Sequence, residues 1–155
     1  MSSGRLRWCA VMPTLDIAAS VEQVRFAKEH GAAAVAMRPF EGGRALADAY
    51  FHPIYAEAER QNLAIAVHIA NGSGEMLRLM SSSYDRSGGF TRFRVPAVIE
   101  AEVLMMSEVP ERYPNLRWGF VEASANWVPW IVREVQQRLE LGLVAECGDS
   151  VRRRN

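Results

Sequence analysis

Residues 63–75 read LAIAVHIANGSGE, an apolar run that ends in His68 and is followed by a segment rich in glycine, serine and asparagine. Short runs of small and branched apolar residues are typical of strands buried in a parallel sheet. Similar runs occur at residues 6–12, 32–37 and 116–122. The sequence therefore predicts four parallel strands, and the run before His68 is the third of them.

Helical patterns separate the predicted strands. The first helix is predicted to begin with an S-x-x-Q capping box from Ser20 to Gln23 and to end at Gly31. Later helices are predicted from about residues 52, 96 and 126, each with a proline near its start, and a short helix is predicted around residues 76–80. The resulting alternation of strands and helices fits an open doubly wound sheet or part of a (β/α)8 barrel.

Composition predicts one soluble globular domain over residues 1–155, with a charged tail that is frayed from about residue 145. The 155 residues are 49% hydrophobic and 23% charged, with a formal net charge of zero, so a basic surface for nucleic acid is absent. No apolar run reaches the length of a membrane span, and the first residues lack the apolar run of a signal peptide. We therefore expect a cytoplasmic protein with neither a nucleic-acid partner nor a membrane partner.

Two longer blocks carry a family resemblance. The first block is residues 41–74, which include the strand that ends in His68. The residues of this block that match the family pattern are Ala47, Asp48, Phe51, Pro53, Tyr55, Ala58 and residues 63–68. The second block is residues 108–132, which read EVPERYPNLRWGFVEASANWVPWIV. Together with the MRP stretch at residues 37–39, these blocks resemble the amidohydrolase-related family of metal-dependent hydrolases and decarboxylases. The resemblance covers most of residues 4–140.

The resemblance implies an α/β fold that is a partial (β/α)8 TIM barrel of about four β/α units. A complete barrel takes about 250 residues, so the chain corresponds to roughly half of one. Parallel strands that do not close into a barrel leave edges with unpaired backbone groups. We therefore expect a homo-oligomer, a partner chain that completes the barrel, or a truncated product of limited stability.

His68 is the candidate metal ligand. Side chains at the carboxyl ends of barrel strands point into the mouth where ligands bind, and the family has a metal-binding histidine at the matching place. A divalent ion there, zinc or manganese, would polarise a substrate oxygen or lower the pKa of a bound water. A hydrogen-bonded histidine at the end of a strand is the structural alternative.

The remaining family ligands have no counterpart in this sequence. In the family they come from an H-x-H or E-x-H pair on the first strand and an aspartate on the last. The chain has three histidines, His30, His52 and His68, and no H-x-H. His30 lies at a predicted helix end, where the helix dipole favours a cation, and His52 lies at a helix start, where capping or solvent contact explains it. The alternative to a zinc or manganese site is therefore that this chain binds no metal by itself.

Two charged residues end predicted strands. Glu122 is the candidate catalytic residue, as a general base or a site for a cationic group, and its alternative role is to cap the following helix. Arg38 is a candidate for binding a substrate carboxylate, and its alternative is an ion pair with Glu41 or Asp48.

Asn71 and Trp127 complete the predicted substrate-binding set, since both lie in segments that follow a strand.

Two hypotheses about function result. The chain belongs to an enzyme that hydrolyses or decarboxylates a small carboxylated or cyclic substrate, or it is a catalytically inactive half-barrel that folds by self-association or by docking on another chain.

Overall fold

The computed structural model describes residues 4–80, 86 and 89–142. Its main sheet has the parallel strand order β1-β2-β5-β6. These strands are β1 (Cys9–Val11), β2 (Ala34–Met37), β5 (Ala64–His68) and β6 (Trp118–Val121). A small antiparallel hairpin of β3 (Phe40–Glu41) and β4 (Arg44–Ala45) follows β2. The predicted charged tail lies outside the described residues.

Helices connect the strands of the sheet. They are α1 (Ile17–Glu29), α2 (His52–Arg60), α3 (Gly74–Leu79), α4 (Val95–Met105), α5 (Val109–Arg112) and α6 (Val128–Glu140). A 3-10 turn, Ala49–Phe51, leads into α2, and a π-helical turn, Phe90–Arg94, leads into α4. None of these helices is long and apolar enough to cross a membrane.

The two faces of the sheet carry different residues. Val35 and Ile65 are aligned across β2 and β5, and both are completely buried beneath the helices. The next aligned row alternates to the opposite face, as the two-residue period of a strand requires, and consists of Val11, Ala36, Ala66 and Gly119. On that opposite face, which we call the inward face, Val11 is 76% exposed. The core therefore lies between the sheet and the helices.

The predicted start of the first helix is wrong. Helix α1 begins one turn earlier, because the side chain of Asp16 accepts a hydrogen bond from the Ala19 N–H at 3.0 Å. An aspartate at this position satisfies one of the free N–H groups of the first turn. Ser20 consequently lies inside the helix, fully buried.

The segment after β2, where the sequence predicts neither a strand nor a helix, contains the β3–β4 hairpin. Its connection is a pair of glycines, Gly42 and Gly43, with φ angles of 59° and 79°. A two-residue hairpin turn of this kind needs positive φ at both positions, which glycine adopts at little cost.

A buried carboxyl group fastens α4 to the segment after the hairpin. Glu100 is completely buried, and its Oε2 accepts a hydrogen bond from the Leu46 N–H at 2.7 Å. The hydroxyl of Tyr55 donates to the carbonyl oxygen of the same Leu46 at 2.6 Å. Burial raises the pKa of the Glu100 carboxyl to about 7, although the hydrogen bond from Leu46 opposes this shift.

The two other histidines have structural surroundings. His30 follows α1, where its Nδ1 lies 2.8 Å from the Phe26 carbonyl oxygen, as its predicted position at a helix end suggests. His52 is buried and packs edge-on against Tyr113, with ring centroids 5.6 Å apart. The expectation of a solvent contact at His52 is therefore wrong, and burial lowers the pKa of its imidazole.

Candidate functional site

His68 and Glu122 meet at the carboxyl edge of the sheet. His68 is the last residue of β5 and is aligned with Val121, the last residue of β6, so that Glu122 follows directly beside it. The Nε2 of His68 lies 3.4 Å from Oε2 of Glu122, and both side chains are more than half exposed. The structure thus brings together the predicted metal ligand and the predicted catalytic residue.

The backbone orients the imidazole ring of His68. Its Nδ1 lies 3.0 Å from the carbonyl oxygen of Ile69, which can only accept a hydrogen bond. The Glu122 carboxylate at Nε2 also can only accept, so the shorter contact decides the tautomer that we assign, with the proton of the neutral ring on Nδ1 and the lone pair on Nε2. A metal ion between Nε2 and the carboxylate would contact both groups.

Glu122 has an unusual backbone conformation. Its φ is 64°, and that of Ser124 in the same turn is 63°. The left-handed region costs a non-glycine residue roughly 1–2 kcal/mol, and such residues cluster at functional sites. This turn follows β6 directly, and within it the Glu122 carboxylate lies beside His68.

Arg38 occupies the same edge of the sheet and is paired with Glu41. It follows Met37, which is aligned with Val67, so the register brings Arg38 level with His68. The guanidinium donates to Oε2 of Glu41 from Nε at 3.0 Å and from Nη2 at 2.6 Å. This ion pair is one of the alternatives that the sequence leaves open, and the hydrogen bond that Arg38 donates to Glu41 raises the pKa of the Arg38 guanidinium.

Glu41 connects three segments at the carboxyl edge of the sheet. Its side chain is nearly completely buried and also accepts a hydrogen bond from the Thr14 hydroxyl, after β1, at 2.9 Å. Its backbone forms a β-bridge with Gly72, in the loop after His68. A Cβ on Gly72 would lie 1.9 Å from the Phe40 carbonyl oxygen, so only glycine allows this approach.

A cavity of about 350 Å³ opens beside these groups. Arg38, Glu41 and His68 supply its polar lining, and apolar residues of β1, β2 and their ends supply the rest: Val11, Met12, Ala36 and Met37. A small molecule with one charged end and an apolar body matches this lining in size and polarity.

Asn71 and Trp127 have different places relative to this cavity. The Oδ1 of Asn71, in the loop after His68, accepts a hydrogen bond from the Ser73 N–H at 2.9 Å, and its Nδ2 is buried without a partner among the described residues. Trp127 turns back on its own loop, where its Nε1 donates to the Ala123 carbonyl oxygen at 2.9 Å. It lines an apolar cavity between α4 and α6, separate from the one that Arg38 and His68 share.

The described residues do not by themselves make a metal site. Catalytic zinc ordinarily uses three protein ligands. His68 and Glu122 supply one imidazole nitrogen and one carboxylate, and no group of three histidine, cysteine, aspartate or glutamate side chains comes together within the described ranges. The pair fits two positions of a metal site and leaves the third without a ligand.

Glu41 is the site residue that the sequence does not single out. The sequence leaves open whether Arg38 pairs with Glu41 or with Asp48, and the residues next to Glu41 do not indicate that its carboxylate is buried. The signal that comes nearest is the MRP stretch followed by the Gly42–Gly43 pair, which indicates a tight turn next to Arg38.

Solved structures with the same fold support the barrel prediction. An amidohydrolase from Mycobacterium avium subsp. paratuberculosis K-10 is 18% identical, with a TM-score of 0.70 over 86% of this chain and 36% of its own. The 5-carboxyvanillate decarboxylase of Sphingomonas paucimobilis is 15% identical, with a TM-score of 0.72 over 93% of this chain and 44% of its own. The IDCase of Metarhizium anisopliae is 17% identical, with a TM-score of 0.71 over 93% of this chain and 41% of its own.

This chain therefore spans less than half the length of each of these structures. Their similarity confirms the predicted fold class, a partial (β/α)8 barrel. No curated protein matches the sequence. The family model described as amidohydrolase matches residues 1–149, and the chain belongs to the amidohydrolase family.

Proposed function

We propose that the chain carries part of the active site of a metal-dependent hydrolase or decarboxylase that acts on a small carboxylated or cyclic substrate. The observation that carries the proposal is the 3.4 Å contact between His68 and Glu122 at the ends of adjacent parallel strands. Ligands and reacting groups in barrel enzymes lie at this end of the strands.

The roles proposed for this pair are metal ligation by His68 and proton transfer by Glu122. The Ile69 carbonyl oxygen occupies Nδ1 of His68, so Nε2, which faces Glu122, is the nitrogen left to bind a metal ion. The Glu122 side chain is accessible, which allows its carboxylate to exchange a proton with a bound substrate or water. A divalent ion, zinc or manganese, would supply Lewis-acid chemistry when bound, and further ligands would have to complete its coordination.

A second hypothesis is a catalytically inactive half-barrel. The observation that favours it is the uncovered inward face, where Val11 is 76% and Val121 41% exposed in the part of the chain that the structure describes. Under this hypothesis, a second copy or another chain covers that face, and no reaction takes place there. Both hypotheses include a partner that completes the barrel, and they differ in whether the completed site binds metal and substrate.

The experiment that separates the hypotheses measures metal content. The purified protein is equilibrated with zinc or manganese, desalted and analysed by elemental emission, alongside the variants His68→Ala and Glu122→Gln. We expect bound metal in the wild type, a loss of most of it in H68A and a smaller loss in E122Q, because alanine removes the ligand whereas glutamine keeps a side-chain oxygen.

The matched control is His30→Ala. His30 is an exposed histidine at the end of α1, outside the carboxyl edge of the sheet, so H30A should retain its metal. Wild-type protein that remains metal-free, or H30A and H68A that lose metal equally, would contradict a metal-dependent site at His68 and favour the inactive half-barrel.

A further inference from the structure

The guanidinium of Arg38 is only partly used by its ion pair. Glu41 takes Nε and one N–H of Nη2. The Nη1 group and the second N–H of Nη2 form the other edge of the planar guanidinium, and no described residue bonds to Nη1 of Arg38. The side chain is 50% exposed, and it lines the cavity that contains His68. This free edge is a two-pronged donor of the kind that binds a carboxylate with two parallel hydrogen bonds.

The Glu41 carboxylate is buried and fully hydrogen-bonded, whereas the Arg38 guanidinium that it binds is half exposed. Oε1 accepts the Arg38 backbone N–H at 2.8 Å, and Oε2 accepts the guanidinium and the Thr14 hydroxyl. A carboxylate with these bonds and 4% exposure offers no free oxygen to a substrate. Glu41 can therefore act on a ligand only through Arg38.

The bonds of Glu41 also determine which way the guanidinium faces. Glu41 holds both the backbone N–H and the side chain of Arg38, and it is anchored by Thr14 on one side and by the Gly72 bridge on the other. An arginine held at two points loses less side-chain entropy when it binds a ligand than a mobile arginine does.

We propose that Glu41 is a positioning residue that directs the free edge of Arg38 into the cavity beside His68, where this edge binds the carboxylate of a ligand with an apolar body. The apolar body would lie over Val11 and Ala36, on the inward face of the sheet. The inference rests on the proposed function, since it assigns the carboxylate contact of the same site.

The test uses benzoate as the carboxylate probe and benzamide as its uncharged counterpart. Both are titrated into the 155-residue protein without added metal, and binding is followed by calorimetry and by the Nε–H resonance of Arg38 in nitrogen-15 spectra. We expect benzoate to bind and to shift this resonance, and benzamide to bind at least tenfold more weakly. Equal binding of the two probes would overturn the proposal.

The first variant is Arg38→Lys, which keeps the charge and removes the fork. We expect it to weaken benzoate binding at least tenfold, because an ammonium group cannot form the paired hydrogen bonds. The matched control is Arg44→Lys, since Arg44 is 48% exposed and also pairs with an acidic residue, Asp48. An R38K variant that binds benzoate as tightly as R44K does would contradict the role of the fork.

The second variant, Glu41→Gln, tests positioning by the direction of the change. Removal of a negative charge next to Arg38 would by itself strengthen binding of an anion. Loss of the contacts that orient the guanidinium would weaken binding, and we expect a threefold to tenfold loss. Unchanged or tighter binding would show that Glu41 only neutralises Arg38, and would overturn its positioning role.

A double variant separates binding from folding. Removal of Arg38 alone leaves the Glu41 carboxylate buried and unpaired, which can unfold the protein. Arg38→Met combined with Glu41→Gln removes both charges, and we expect it to remain folded and not to bind benzoate. If this double variant retains metal while losing benzoate, the proposed function stands with the carboxylate contact at Arg38. If the wild type binds benzoate but no metal, the Arg38 contact stands and the proposed function fails.

Discussion

The two faces of the four-stranded sheet differ in cover and in chemistry. The helix side is closed, with Val35 and Ile65 completely buried, whereas Val11 on the inward face is 76% exposed. The exposed groups of the candidate site, Arg38 and His68, belong to the inward side and the carboxyl edge. Stability and proposed function are therefore separated by face, because burial of apolar area stabilises the fold and reactive groups need access to ligand.

The largest expected loss of stability comes from a substitution on the helix-covered face of the sheet. Ile65→Ala should lower the free energy of unfolding by about 2–5 kcal/mol, because it leaves a cavity in a closed core. Val11→Ala on the inward face should change it by less than about 0.5 kcal/mol. Urea unfolding of both variants measures the difference, and equal losses would show that the inward face is also buried in solution.

The next effect concerns Glu100 on the covered side. Its pKa is about 7 in the folded protein against an ordinary 4.5, so the folded state holds a proton that the unfolded state releases between these values. This contribution to stability is fully present below pH 4.5 and is lost as the pH rises to about 7. The loss should be at most about 3 kcal/mol.

Unfolding of Glu100→Gln across pH 5 to 8 checks this effect. The glutamine cannot ionise, so we expect a flatter pH dependence than in the wild type. Glu102→Gln on the same helix is the control and should keep the wild-type dependence. Parallel curves for the wild type and E100Q would refute a proton held by Glu100.

A third effect tests the contact between the loop after His68 and the hairpin. Gly72→Ala places a methyl group 1.9 Å from the Phe40 carbonyl oxygen, so the two segments must separate. We expect a loss of about 1–3 kcal/mol, by analogy with overpacked sites. Gly74→Ala, at the start of α3, meets nothing within 4 Å and should be neutral or slightly stabilising. Thermal unfolding compares the two variants.

The smallest expected change in stability comes from the turn after β6, where one of two matched substitutions also removes a residue of the candidate site. Glu122→Gly and Ser124→Gly each relieve a positive φ, and each should gain about 0.5–1 kcal/mol after the entropy of glycine is counted. Only E122G removes the partner of His68, so it alone should lose metal or substrate binding. A loss of stability in both variants would argue against strain in this turn.

The order of the four parallel strands and of the longer helices could be predicted from the sequence, since each of these strands is a compact apolar run, and α2, α4 and α6 each have a proline in the first turn. The start of α1 could not, because Asp16 and Ser20 are both good capping residues and only the folded chain selects one. The β3–β4 hairpin was missed because its strands are two residues long. Runs this short carry no measurable alternation.

The candidate site divides in the same way. The positions of His68 and Glu122 at strand ends follow from the sequence alone, because the end of an apolar run marks the end of a strand. Their contact, the capture of Arg38 by Glu41 and the turn of Trp127 onto its own loop were decided by the tertiary structure. The physical reasons differ. The contact between His68 and Glu122 depends on the register of two strands that are distant in the sequence. The contacts of Arg38 and Trp127 span only three and four residues, and they depend on the backbone angles after each strand and on which side chains become buried, which local propensity does not specify.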